Sequence, residues 1–167
     1  MTTLKGNRPM TNAKTPAKRA GAARPAKNVW TDEERAAMQA SVRERKSAAK
    51  PGSAEERSQG EADVRAKIAD MPEPDRTMAE RVHALVSSAV PELVPKTYYG
   101  MPAWARDGKV ICFFKPKSKF KVRYASFEFQ PDAGLDDGDM WPVSFALVTL
   151  NAATEARISE LVKKAAG

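Results

Sequence analysis

Groups able to do acid–base or covalent chemistry are few in this 167-residue chain, and those near one another in sequence are Tyr98, Tyr99, Lys109 and Cys112. A nucleophile needs a base within hydrogen-bond reach. Side chains alternate between the faces of a strand, and the register derived below places Lys109 and Cys112 on opposite faces, so neither activates the other. The lone Cys112, in mid-strand, reads as a small apolar packing residue. It allows no disulfide within a monomer, which fits a reducing, cytoplasmic compartment. The acidic loop Asp132, Asp136, Asp137 and Asp139 has oxygen ligands that suit a hard cation, but it lacks the glutamate that closes a calcium loop. Aspartate and glycine are also ordinary turn residues, and a turn is the expectation. His83, the single histidine, falls beside the apolar stripe of its helix and is expected to face solvent. The chain therefore reads as a non-enzymatic binding protein. No catalytic residue, no metal ligand and no resident cofactor are assigned.

Binding chemistry is concentrated in Tyr98 to Lys115, YYGMPAWARDGKVICFFK. Asp107-Gly108 suits a two-residue type I′ loop, in which both positions need positive φ. That loop pairs Arg106 with Lys109, Ala105 with Val110, Trp104 with Ile111 and Ala103 with Cys112. One face then carries Met101, Ala103, Ala105, Val110, Cys112 and Phe114 and should pack on helices. The other carries Trp104, Arg106, Lys109, Ile111 and Phe113 and should be more open; a slip of one residue would exchange the two. The candidate binding residues are Tyr99, Met101, Trp104, Arg106, Lys109 and Phe113, joined by Lys121 and Arg123 if the next strand agrees in register. Aromatics among cations on an open sheet can stack bases and neutralise phosphates. The same surface could receive a helix, a second subunit as a homodimer, or a small anionic ligand, or it could be a half-covered sheet whose cations only meet solvent. Gly100 and Pro102 read as a strand break or bulge that aims Met101 and Trp104.

Flanking elements must hold this hairpin. Thr31 and Glu34 have capping-box spacing, opening a peripheral helix to about Lys46 in which Met38 and Val42 are the large apolar residues and Trp30 an anchor. Residues 48–60 read as a linker. Glu61 to Met71 is a short helix, and Asp75 can cap the next. Met78, Val82, Leu85, Val86 and Ala89 form the strongest amphipathic stripe. Strands are expected over Lys96–Tyr99, over Lys119–Gln130 with Lys119, Lys121 and Arg123 alternating against Phe120, Val122 and Tyr124, and over Trp141–Leu150. Asn151 caps a final helix with Ile158, Leu161, Val162 and Ala165 inward. The fold class is α+β: a four- to five-stranded antiparallel sheet, the main helices packed on one face.

Residues 1–29 hold seven basic residues and no acid, which accounts for the formal net charge of +7; the other 138 residues balance. This segment has no hydrophobic period and reads as a disordered basic tail. A solubilising tail, a weak salt-sensitive contact with nucleic acid and a cleaved basic presequence remain open for it. Its Ala/Arg-rich style suits a GC-rich bacterium. No run approaches the ~18 apolar residues of a membrane span, so no membrane partner is expected. The organisation is a tail over 1–29, a peripheral helix over 30–47, a linker over 48–60 and a domain over 61–167.

Tyr99-Gly100-Met101-Pro102-Ala103-Trp104, followed by Gly108-Lys109-Val110 and Phe114, resembles the YdhG-like domain family. The likeness covers roughly residues 63–167. It implies an antiparallel sheet with helices on one face, shared with the wider superfamily of frataxin-like CyaY and YjbR proteins. Some YdhG-like members are described as frataxin-like iron chaperones, so the likeness implies a chaperone-like, iron-linked role. The frataxin analogy points to acids such as Asp75, Glu80 and Glu92, here interspersed with Arg76, Arg81 and Lys96. Where many members carry a histidine after the aromatic strand, this chain has Lys117 to Tyr124 without one.

Overall fold

The computed structural model describes residues 30–47 and 52–167; the basic tail expected over 1–29 lies outside the described residues. The chain runs α1 (Asp32–Ser47), α2 (Ala54–Ala69), α3 (Asp75–Ala89), β1 (Val94–Tyr98), β2 (Met101–Arg106), β3 (Lys109–Lys115), α4 (Lys117–Phe120), β4 (Ala125–Phe129), β5 (Ser144–Leu147) and α5 (Ala152–Ala166). The five strands form one antiparallel meander in chain order. This is the α+β class expected from the sequence.

The inner face of the sheet is closed by α2, α3 and α5. Trp104, Cys112, Phe114, Phe127, Phe129 and Leu147 meet Val64 and Ile68 of α2, Val82 and Val86 of α3, and Ile158 and Val162 of α5 in one core. The outer face is smaller. Met101, Ala103 and Phe113 form a second cluster there, with Tyr98, Tyr99, Val110 and Phe120 packed against it.

Sequence signals that name a hydrogen bond hold up well. Thr31 and Glu34 close a capping box at the start of α1: the Thr31 amide donates to Glu34 Oε2 at 2.7 Å, and the Glu34 amide to Thr31 Oγ1 at 3.1 Å. Asn151 and Thr154 do the same for α5. The Asp107-Gly108 loop is type I′, with φ of 52° and 78°, and it pairs Arg106 with Lys109 and Ala105 with Val110.

Beyond those two pairs the expected register fails. A bulge lies between Trp104 and Ala105, so Trp104 pairs with Cys112 and Ala103 with Phe113. One extra residue on β3 shifts every later pair by one. Cys112 and Phe114 still face the helices as expected, but β2 is reversed. Trp104 is 0% exposed in the inner core, while Met101 and Ala103 lie on the outer face.

Other elements differ for local reasons. The expected linker is mostly helix, because Ser53 caps α2 by accepting from the Glu56 amide; the helix begins with ten residues of polar and small side chains before its first buried apolar side chain, Val64. The expected strand 119–130 is split. Lys117–Phe120 is a helical turn that ends in Lys121 at φ 51°, and the strand begins only at Ala125. Asp75 does not cap α3; its Oδ2 accepts from the Ser118 amide at 2.8 Å and so holds the start of α4. His83 is not solvent-facing but 8% exposed. The buried stripe of α3 is Ala79, Val82, His83 and Val86, one position round from the stripe expected. His83 stacks on Trp104 with ring centroids 5.9 Å apart and donates from Nε2 to Glu61 Oε1 at 3.0 Å.

Candidate docking face beneath the first helix

Two hairpin turns with the same backbone shape bracket β2. Tyr98 pairs with Met101, so Tyr99-Gly100 is a two-residue loop, and its φ values of 50° and 73° make it type I′ as well. Gly100 is therefore a turn residue and not a strand break or bulge. A left-handed backbone at a residue with a Cβ costs about 1–2 kcal/mol, and Tyr99 carries that cost. The turn is held by α1. The Tyr99 amide donates to Glu44 Oε2 at 3.1 Å and the Gly100 amide to Glu44 Oε1 at 2.9 Å, so one carboxylate takes both N–H groups. From the other side Lys119 Nζ donates to the Tyr99 carbonyl at 2.8 Å. A Cβ at Gly100 would stand 2.3 Å from Lys119 Nζ, so a larger residue there would displace the lysine from the turn.

The opposite end of α1 is also held by charge. Glu33 pairs with Lys121 at the left-handed end of α4. The hydrogen bond from Lys121 holds the Glu33 carboxyl below its ordinary range, and Glu33 in turn raises Lys121. Burial, with Lys67 adding repulsion, pushes the Lys119 ammonium below the usual lysine range, while Glu44 pulls it back up.

Between these two ends the buried residues of α1 are small. Ala37 and Ser41 are buried and Ala40 is half-buried, whereas Met38 and Val42 are 44% and 42% exposed. Val42 is thus left to solvent, while Met38, also partly exposed, lines a groove on the outer face. Small residues do not fill the outer face. A groove of about 230 Å³ remains, lined by Trp30, Met38, Tyr99, Met101, Phe113 and Phe120. Trp30 stands at its mouth, 53% exposed. Lys115 Nζ lies 5.2 Å from the centre of the Phe120 ring, so cations border the aromatic floor.

The structure brings three of the eight candidate residues together here, Tyr99, Met101 and Phe113, and puts Lys121 at the far end of the same helix. The other four go elsewhere. Trp104 is in the inner core. Arg106 donates to the Ala166 carbonyl and ties β2 to the end of α5. Lys109 pairs with Asp132 at 3.0 Å, across to the acidic loop. Arg123 lies over the Tyr124 ring at 5.2 Å. Sequence reasoning missed Tyr98, Lys119, Phe120 and Glu44. The signal for Glu44 was present: Glu33, Ala37, Ser41 and Glu44 recur at i, i+4, i+8 and i+11, one face of a helix.

A larger cleft of about 900 Å³ opens between α2 and α3, lined by Arg57, Glu61, Arg65, His83 and Ser87 among others. Its charges are taken up by the fold. Arg57 donates to the carbonyls of Pro91, Glu92 and Leu93, and Glu61 accepts from both Arg65 and His83. Burial pushes the Glu61 carboxyl up, but those two hydrogen bonds outweigh it and leave it below the usual range. Among the described residues no three His, Cys, Asp or Glu side chains are grouped as a metal ion would need, and no helix is long and apolar enough to cross a membrane. Comparison with protein-family models, curated proteins and solved structures found no match for this chain.

Proposed function

We propose that this is a non-enzymatic, cytoplasmic binding protein whose working surface is the outer face of the sheet, and that its ligand is an apolar segment of a partner protein. One observation carries the reading. An aromatic and methionine floor, Tyr99, Met101, Phe113 and Phe120, is roofed by a helix that offers it small residues and leaves a groove open. Apolar grooves rimmed by polar groups are the usual receptors for amphipathic helices. The YdhG-like run Tyr99 to Trp104 supports the same surface, because it contains the turn and two of the residues facing that groove. A chaperone-like role for such a domain is compatible with a face that holds apolar segments. The iron-linked version of the family role has no support from a grouped set of ligands among the described residues.

The test is a chemical-shift titration of the isotopically labelled full chain with an amphipathic helical peptide. Shifts confined to Tyr98–Met101, Phe113 and Phe120 are expected. Shifts centred on the α2–α3 cleft, or none at millimolar peptide, would sink the reading.

A further inference from the structure

We infer a second binding site on the outer face, toward the C-terminal end of α1: a cavity of about 420 Å³ that takes the phosphate monoester of a small organic molecule. This site and the docking groove are independent, and either can fail without the other.

Four elements converge on the cavity. On β1, Lys96 pairs with Ala103 and Tyr98 with Met101. Ala103 and Met101 belong to the outer cluster, so the Lys96 and Tyr98 side chains stand on that face, two residues apart. The last turn of α1 adds Arg45, the start of β3 adds Lys109, and Gln130 follows the end of β4. Val110 and the Tyr98 ring supply the apolar lining.

The balance of donors and acceptors sets this cavity apart. Both of its carboxylates are engaged: Glu44 takes the Tyr99 and Gly100 amides, and Asp132 takes Lys109. Donors are left over. Lys96 is half-buried and forms no ion pair among the described residues, and Arg45 bonds only through Nε, to the Ser41 carbonyl at 3.4 Å. The Tyr98 hydroxyl and the Gln130 side-chain amide have no protein partner among the described residues. Burial and the neighbouring Tyr99 push the Tyr98 phenol above its ordinary range, so it stays a donor at neutral pH. In the α2–α3 cleft, by contrast, Arg57 is taken up by three carbonyls and Arg65 by Glu61. A ligand that answers the leftover donors must bring negative charge and several acceptors. A phosphate monoester carries about −1.5 to −2 charge at pH 7 and three strong acceptor oxygens, and guanidinium and ammonium groups are its usual partners. A carboxylate brings one charge and two oxygens, fewer than the donors present. The volume falls within the ~300–1,000 Å³ of small-molecule sites, which leaves space for an organic group beside Tyr98 and Val110.

The experiment is a chemical-shift titration of the isotopically labelled full chain with phenyl phosphate, and with benzoate and inorganic phosphate for comparison. Saturable shifts are expected at Arg45, Lys96, Tyr98, Lys109 and Gln130, with Phe113 and Phe120, which report the docking groove, left unmoved. Phenyl phosphate should bind at least tenfold more tightly than benzoate. Lys96→Gln and Arg45→Gln, both changes at the surface, should each weaken it at least tenfold with the rest of the spectrum unchanged. Tyr98→Phe removes only the hydroxyl and should weaken it about fivefold, as loss of one hydrogen bond does. Inorganic phosphate that binds as tightly as the ester would overturn the organic part of the ligand. No saturable shift with phenyl phosphate, equal binding of benzoate, or undiminished binding by Lys96→Gln and Arg45→Gln would overturn the site. Shifts confined to residues 1–29 would assign the anion to the basic tail and overturn it equally.

Discussion

The two faces of this sheet are closed in opposite ways. On the inner face three helices bring large apolar residues, and Trp104, Phe114 and Phe127 are sealed. On the outer face one helix brings alanine, serine and two carboxylates, and the aromatic floor keeps an open groove. The first arrangement gains by area and holds only if it is filled. The second is fixed by a few directional contacts at its ends, so it has a register but little packing energy.

Truncations give the largest separation between the faces. Trp104→Ala should cost about 3–5 kcal/mol, the range for deleting a large buried aromatic with a cavity left behind. Phe113→Ala should cost about 1.5–3 kcal/mol, the transfer contribution alone, because α1 can settle into the space. Urea unfolding reads both, and equal losses would erase the distinction. The paired turns come next. Gly100→Ala and Gly108→Ala each force a Cβ into left-handed backbone for about 1–2 kcal/mol. Gly100→Ala must also displace Lys119, so its melting temperature should fall further than that of Gly108→Ala.

Glu44→Gln should act locally. Amide exchange at Tyr99, Gly100 and along α1 should quicken at least tenfold while that of α3 is unchanged; a uniform change would mean that α1 belongs to the core. The same substitution should lower the Lys119 pKa further, since Glu44 is the group that raises it. The carbon shift of its Cε through an alkaline titration checks this. The sign for stability follows. A lysine with a depressed folded pKa binds fewer protons folded than unfolded between that value and its ordinary one, so its contribution to stability rises with pH across that window. The smallest expected effect is a null. Cys112 is buried, and burial pushes its thiol well above the ordinary cysteine range, so a thiol reagent should not label it in the native state. A cysteine introduced by Met38→Cys should label at once.

Legibility in the sequence tracked how local the cause was. The capping box at Thr31, the Asn151 cap and the Asp107-Gly108 turn each involve residues within three positions, and all three were readable. The bulge beside Trp104 depends on how β3 meets two strands at once, and no local pattern announces it. It was enough to reverse β2 and send Trp104 to the other face. The Tyr99-Gly100 turn was hidden because tyrosine is a poor residue for positive φ. Its supports are distant in sequence: Glu44, more than fifty positions earlier in the chain, and Lys119, twenty positions later. His83 was misplaced by one helical position, which is the difference between solvent and the Trp104 ring.

The contact between Gly60 and Pro95 bears on how the protein behaves when concentrated. A Cβ at Gly60 would lie 1.8 Å from the Pro95 carbonyl oxygen, so α2 sits directly on the edge strand β1, and Pro95 has no amide to offer a neighbour. That end of the sheet is shut to another strand. The opposite end, β5, is four residues long with Val143 and Val148 exposed beside it. Among the described strands, edge-to-edge pairing of folded domains is therefore left to β5, and two such edges that meet leave none free, so the contact should stop at a pair, which a proline placed at Ala146 should prevent.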